Sequence, residues 1–269
     1  MDIQARNNVT VTGPDDQPTV VLAHGFGCDQ NMWRLAVPAL AERYRVVLFD
    51  YVGSGGSDLS AWSQERYSSL DGYAQDVVDI CDELGLEQAA FVGHSVSAMV
   101  GVLAARRAPE RIGSLVMVAP SPCYVDVDAD GYRGGFTAQD IDELLASLES
   151  NYLGWSSQMA PVIMGNPERP ELGQELTNSF CATDPDIARV FARTTFLSDS
   201  REDLKSVTVP TLVLECSQDV IAPREVGAYV HAAIPSSRLV TLDATGHCPQ
   251  LSAPEATSEA ILDFLGARR

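Results

Sequence analysis

Six short runs of aliphatic and β-branched residues punctuate the chain: TVVLA at 19–23, RVVLF at 45–49, AAFVG at 89–93, SLVMVA at 114–119, TLVLE at 211–215 and RLVTL at 238–242. Each is nearly continuous in apolar residues rather than alternating, the pattern of a strand buried on both faces. Between the runs the period changes. Leu70, Tyr73, Val77, Ile80 and Leu84 recur every three or four residues, as on one face of a helix, and Gly85 follows where a left-handed cap is favoured. Strand alternating with helix predicts an α/β fold with a mostly parallel central sheet flanked by helices. A closing amphipathic helix carries Ala260, Ile261, Phe264 and Leu265 and runs to Arg268 and Arg269, whose charges suit its dipole.

The alternation fails between 121 and 205. That stretch holds no convincing strand, shows helical patterns at 137–155, 169–180 and 186–196, and is cut by Pro161, Pro167, Pro170 and Pro185. The expected organisation is a core made of 1–120 and 206–269, with 121–205 inserted as a helical cap. Such an insertion belongs over the ends of the strands, where α/β proteins bind ligands.

Composition narrows the partners. A chain of 269 residues, 45% of them hydrophobic, can bury one sizeable core. Its 18 basic against 37 acidic side chains leave a net charge of -19, which repels phosphate backbones and anionic lipid. Nucleic acid and membrane are therefore poor partners. The N-terminal stretch has no cationic segment followed by an apolar one, so a cytoplasmic location is expected. The six cysteines are scattered without a CxxC pair, and free thiols are expected. No cluster has metal-ligand spacing, and no metal or cofactor is expected. Without a long apolar stripe the default is a monomer.

The chemistry centres on FVGHSVSA at 91–98. A nucleophile at a tight strand-to-helix turn needs small residues two positions before and after it, and Gly93 and Ser97 supply them around Ser95. The usual pattern ends in glycine, so on the motif alone Ser95 is either a nucleophile or a helix-capping serine. A base and an orienting acid would decide. Of the four histidines, His231 falls on a surface helix, while His24 and His94 fit packing or hydrogen-bonding roles beside the turn. His247, in DATGHCPQLSAP after the last run, is the best-placed base. Asp219, following the fifth run, competes with Asp243 as the acid and is the better placed to project from the same sheet edge. The order Ser95, Asp219, His247 is that of an α/β-hydrolase. Oxyanion donors are expected from the backbone N-H groups of Phe26, in AHGFG, and of Val96. The glycine-rich loop FDYVGSGGSD at 49–58 lacks dinucleotide spacing, because Asp58 occupies the place of the third glycine.

Taken together, HGFG, GSGGSD, GHSVSAM, SPCYVD, NYLGW, TDPDIARVFARTTFLSD and GHCPQLSAP resemble the RsbQ-type bacterial α/β-hydrolases and are similar to the plant strigolactone and karrikin receptors. The likeness spans nearly the whole chain, and the plant receptors share GHSVSAM. It implies the triad Ser95, Asp219 and His247, the donors Phe26 and Val96, and a V-shaped cap of four helices over a deep apolar pocket. It places Phe26, Tyr124, Phe136, Trp155, Met159, Phe196 and Val220 in the pocket wall. Met159 stands where the plant receptors have an aromatic, so ligand identity does not transfer. The expected function is cleavage of the ester or lactone of a small apolar molecule. The alternative implied by the family is a ligand sensor with slow hydrolysis and a protein partner such as a PAS-containing phosphatase.

Overall fold

The computed structural model describes residues 2–267. Seven strands form one sheet: β1 (Thr10–Thr12), β2 (Thr19–Ala23), β3 (Arg45–Leu48), β4 (Ala89–His94), β5 (Ile112–Val118), β6 (Thr211–Gln218) and β7 (Ser237–Thr245). Their spatial order is β1-β3-β2-β4-β5-β6-β7, with β1 antiparallel to β3 and the other neighbours parallel. The six apolar runs are the six parallel strands. Every residue of β4 and β5 is buried, which is why these runs do not alternate. The seventh strand, β1, is a three-residue TVT at the edge, too short and too exposed to leave a hydrophobic pattern.

The helices in chain order are α1 (Ile3–Arg6), α2 (Val37–Ala41), α3 (Gln64–Tyr67), α4 (Leu70–Glu83), α5 (Val96–Arg107), α6 (Ala138–Ser150), α7 (Tyr152–Met164), α8 (Pro170–Ala182), α9 (Pro185–Phe196), α10 (Arg224–Ala233), α11 (Pro249–Ser252) and α12 (Pro254–Gly266). At the end of α4 the Gly85 amide bonds to Asp82 O and the Leu86 amide to Cys81 O, with Gly85 at φ 61. That is the left-handed ending its sequence position suggests. Arg268 and Arg269 lie outside the described residues.

Helices α6 to α9 fill the interval between β5 and β6. The pattern at 137–155 is two helices rather than one, because Asn151 takes φ -154 and ψ 83 and its side chain accepts the Gly154 amide to start α7. Two of the four prolines there begin helices instead of cutting them. Pro170 and Pro185 sit in first turns, where a missing N-H is harmless, and Pro167 lies in the α7–α8 loop. Pro161 lies inside α7, against the buried Gly173 of α8. A hydrogen on Gly173 in place of a Cβ lets the two helices close over that ring.

Candidate active site

Strand β4 ends at His94 and α5 begins at Val96, so the chain reverses direction within Ser95. Its backbone sits at φ 57 and ψ -126, a conformation costing about 1–3 kcal/mol that persists only when its surroundings enforce it. The enforcement is visible. Ser95 N donates to Val118 O at 2.8 Å, and a Cβ on Gly93 would stand 2.4 Å from Ser97 O, so nothing larger fits below the turn.

Ser97 explains the departure from glycine at the end of the motif. Its hydroxyl donates to His24 O and meets the Tyr51 phenol at 2.9 Å, which ties the turn to the loops following β2 and β3. His24 is held in turn: its Nε2 accepts the Tyr51 amide at 3.2 Å, leaving Nδ1 to donate to Gly25 O at 2.9 Å. Burial lowers the His24 pKa, against the opposing charge of Asp50, and keeps the ring neutral. Sequence reasoning gave His24 a hydrogen-bonding role but missed the work of Ser97. The hydroxyl that made the motif irregular was the available signal.

His247 lies between two partners. Its Nε2 is 2.8 Å from Ser95 Oγ, and its Nδ1 is 2.7 Å from Asp219 Oδ2. The Asp219 side chain is fully buried. Burial alone would raise that carboxyl, but His247 and the amides of Ile221 (2.8 Å) and Ala222 (3.1 Å) together hold it below the usual carboxylate range. An ionised Asp219 can only accept, so the His247 proton sits on Nδ1 and Nε2 faces the serine hydroxyl as an acceptor. Asp243, the competing acid, is exposed in β7. His94 supports the base through its backbone, donating from Nε2 to His247 O at 2.7 Å. Burial, with the nearby His247 ring, pushes its pKa down to about 3. His231 is exposed and bonds Ser237.

The loop carrying His247 is also stitched to α7. His247 N donates to Ile163 O at 2.9 Å, and Asn166 Nδ2 donates to both Met164 O and Thr245 O. Gly246, at φ 88, lies so close to Met164 O that a Cβ would stand 1.8 Å away. Only glycine fits there.

Above the serine is a cavity lined by Phe26, Cys28, His94, Ser95, Tyr124, Ile163, Leu176, Phe180, Thr195, Phe196, Ile221, His247 and Cys248. Its volume, traced by the centre of a water-sized sphere, is about 30 Å³, room for about two waters. The expected deep pocket is thus a narrow one, filled by rings. Phe26 makes edge contacts with Trp155, Phe180, Phe191 and Phe196, at centroid distances of 5.6 to 6.3 Å. Larger hollows, such as the groove of about 470 Å³ beside Ser69 and Arg106, are open and lie away from Ser95.

Of the expected wall, Phe26, Tyr124 and Phe196 line the cavity. Trp155 stands one layer back, stacked on Phe180 at 5.8 Å. Met159 and Phe136 are half-buried outside the lining, Met159 because α7 turns Trp155, Ser156, Ala160, Ile163 and Met164 inward. Val220 is 57% exposed, a correction with a clear cause: the bond from Ile221 N to Asp219 curls the chain so that Ile221 faces in and Val220 out. Phe26 N and the amide of Val96, the residue that opens α5, have no hydrogen-bond partner among the described residues. The glycine-rich loop closes on its own carboxylate, Asp50 accepting from Gln30 N, Gly56 N and Asn8 Nδ2. Among the described residues no acid, histidine and cysteine cluster could hold a metal, the six cysteines are free, and no helix is long and apolar enough to cross a membrane.

Comparison with known proteins identifies the family of the fold. The karrikin insensitive 2 receptor IA of Petunia hybrida is 40% identical over 94% of this chain and 92% of its own length. The strigolactone esterase D14 of Arabidopsis thaliana is 40% identical over 94% of both. A solved hydrolase from Oleispira antarctica superposes with a TM-score of 0.95 at 43% identity, over 98% of this chain and 96% of that one. The profile of the alpha/beta hydrolase family matches residues 20–260, and the chain belongs to that family.

Proposed function

We propose that the protein is a serine hydrolase cleaving the ester or lactone of a small apolar molecule. The observation that carries this reading is His247 spanning Ser95 Oγ and Asp219 at 2.8 and 2.7 Å beneath a narrow, mostly apolar cavity. Ser95 Oγ attacks the carbonyl carbon while His247 Nε2 takes the hydroxyl proton. The carbonyl oxygen gains the charge, and the Phe26 and Val96 amides supply donors to it; losing one such donor costs about 3 kcal/mol. Collapse of the intermediate breaks the bond to the alkoxy oxygen, which leaves with the proton from His247. A water then repeats the sequence on the acyl-serine, giving its proton to His247 and releasing the acid. Asp219 stays ionised and holds the imidazolium as it forms. Residues 121–205 act as the cap that admits only compact molecules.

A second reading is favoured by the narrowness of the cavity and by relatives named as receptors. In it, the rings must part for ligand to enter and product to leave, hydrolysis is slow, and cap movement recruits a protein partner. Rapid-mixing hydrolysis of p-nitrophenyl butyrate, wild type against Ser95→Ala, with intact-mass analysis of quenched protein, separates the two. Steady turnover lost in the variant supports the esterase. A burst of one product per protein with a persistent acyl mass supports the sensor, and full turnover by Ser95→Ala overturns both.

A further inference from the structure

In the wall of the cavity two hydroxyls lack a well-formed hydrogen bond. Thr195 Oγ1 and Tyr124 Oη are both buried, in residues only 1% exposed; Thr195 Oγ1 has no partner, and the Tyr124 phenol lies near the Ser95 hydroxyl without good hydrogen-bond geometry. For a threonine in a helix this is unusual, because its hydroxyl ordinarily returns to the carbonyl one turn back. Elsewhere in this chain it does: Thr177 bonds Gly173 O and Thr257 bonds Ala253 O, each at 2.8 Å. Next along α9, Thr194 finds Tyr67 O at 3.1 Å. Thr195 alone of these leaves its hydroxyl unpaired at the cavity. Tyr124 lines the same cavity and packs edge-on against Phe196, the next residue of α9, with ring centroids 5.1 Å apart. Burial raises the Tyr124 pKa to about 12, opposed by the Ser95 hydroxyl beside it, so the phenol keeps its proton.

An unpaired buried hydroxyl is a destabilising feature unless something bonds it part of the time. We infer that Thr195 and Tyr124 form a polar subsite that reads a second oxygen on the substrate, apart from the carbonyl attacked by Ser95. The inference rests on the serine-hydrolase reading and narrows it. Both residues line the same narrow cavity as Ser95, so that oxygen lies within a few bonds of the carbonyl. It belongs to a neutral group. Two hydroxyls without a cation cannot offset the burial of a carboxylate, whereas each can donate to or accept from a hydroxyl or keto oxygen. The preferred acyl group is therefore short and carries a hydroxyl or keto oxygen, rather than being a plain alkyl chain.

The test compares methyl 3-hydroxybutyrate with methyl butyrate, followed by proton release. Wild type should favour the hydroxylated ester in kcat/KM, and Thr195→Val should reduce that preference about tenfold, the size of one neutral hydrogen bond. Two further readings do not depend on turnover. The melting temperature of unliganded Thr195→Val should equal or exceed that of wild type, since an unpaired hydroxyl has been removed. In Ser95→Ala, the hydroxylated ester should raise the melting temperature more than the plain one, and adding Thr195→Val should erase the difference. A preference unchanged within about twofold in Thr195→Val, or a lowered unliganded melting temperature, overturns the subsite. Retained turnover in Ser95→Ala would instead overturn the hydrolase reading beneath it.

Discussion

The two halves of the cavity are built on different principles. Below, at the strand ends, position is set by directional bonds: Ser95 to Val118, Ser97 to His24, His247 to Asp219, and His94 to the His247 carbonyl. Above, where the α6–α9 helices meet Phe26 and Tyr124, position is set by rings meeting at 5 to 6 Å, with two hydroxyls left over. Hydrogen bonds fix a geometry to tenths of an ångström, whereas packed rings fix a volume. The lower half is suited to hold reacting atoms, and the upper half to choose what reaches them.

That contrast can be broken from either side. Asp219→Asn should have the largest effect. It leaves the shape intact but lets His247 adopt the wrong tautomer, so kcat for ester cleavage should fall by about 10,000-fold while the melting curve barely moves. A loss under tenfold would remove Asp219 from the directional half. Phe180→Ala, in the packed half, should do the reverse. Urea denaturation should show a loss of about 3–5 kcal/mol, and the preferred acyl chain should lengthen, with kcat for the shortest ester falling far less than in Asp219→Asn.

The smallest effect lies at His94, beneath His247. The folded pKa of His94 is about 3, below its unfolded value near 6.5, so the unfolded chain takes up a proton that the folded one refuses. Stability from this group is present above pH 6.5 and is lost as pH falls toward 3. Between pH 7 and 5.5 the loss should be about 1 kcal/mol. Asp219, with a depressed carboxyl, loses its contribution only at more acid pH, so the two can be told apart. Urea midpoints over that range should slope in wild type and slope less in His94→Asn, the remainder coming from the buried His24, whose pKa is also lowered; equal slopes would show that burial of His94 does not set the pH response.

The same division explains what could be read from the sequence. Strands buried on both faces write themselves as apolar runs, and the turn at Ser95 needs small neighbours, so both were legible. The residues at 95, 219 and 247 were picked out because strand ends share one edge of a parallel sheet. Side-chain direction within a turn follows no period. Val220 and Ile221 are indistinguishable by composition, and only the bond from Ile221 to Asp219 tells which faces in. The break at Asn151 hid inside a continuous helical pattern, since a capping asparagine also tolerates a helix interior. The width of the cavity was not legible at all: it depends on how Phe26, Phe180 and Phe196 meet across three segments far apart in the chain.

The stitching of His247 to the end of α7 couples that side chain to the helices above it. With the His247 amide bonded to Ile163 O and Gly246 pressed against Met164 O, this end of the helix and the base travel together. A movement that lifts α7 from the strand ends also carries the imidazole away from Ser95. The helix above the serine and the imidazole beside it are thus one mechanical piece, so a change that displaced the first would misplace the second.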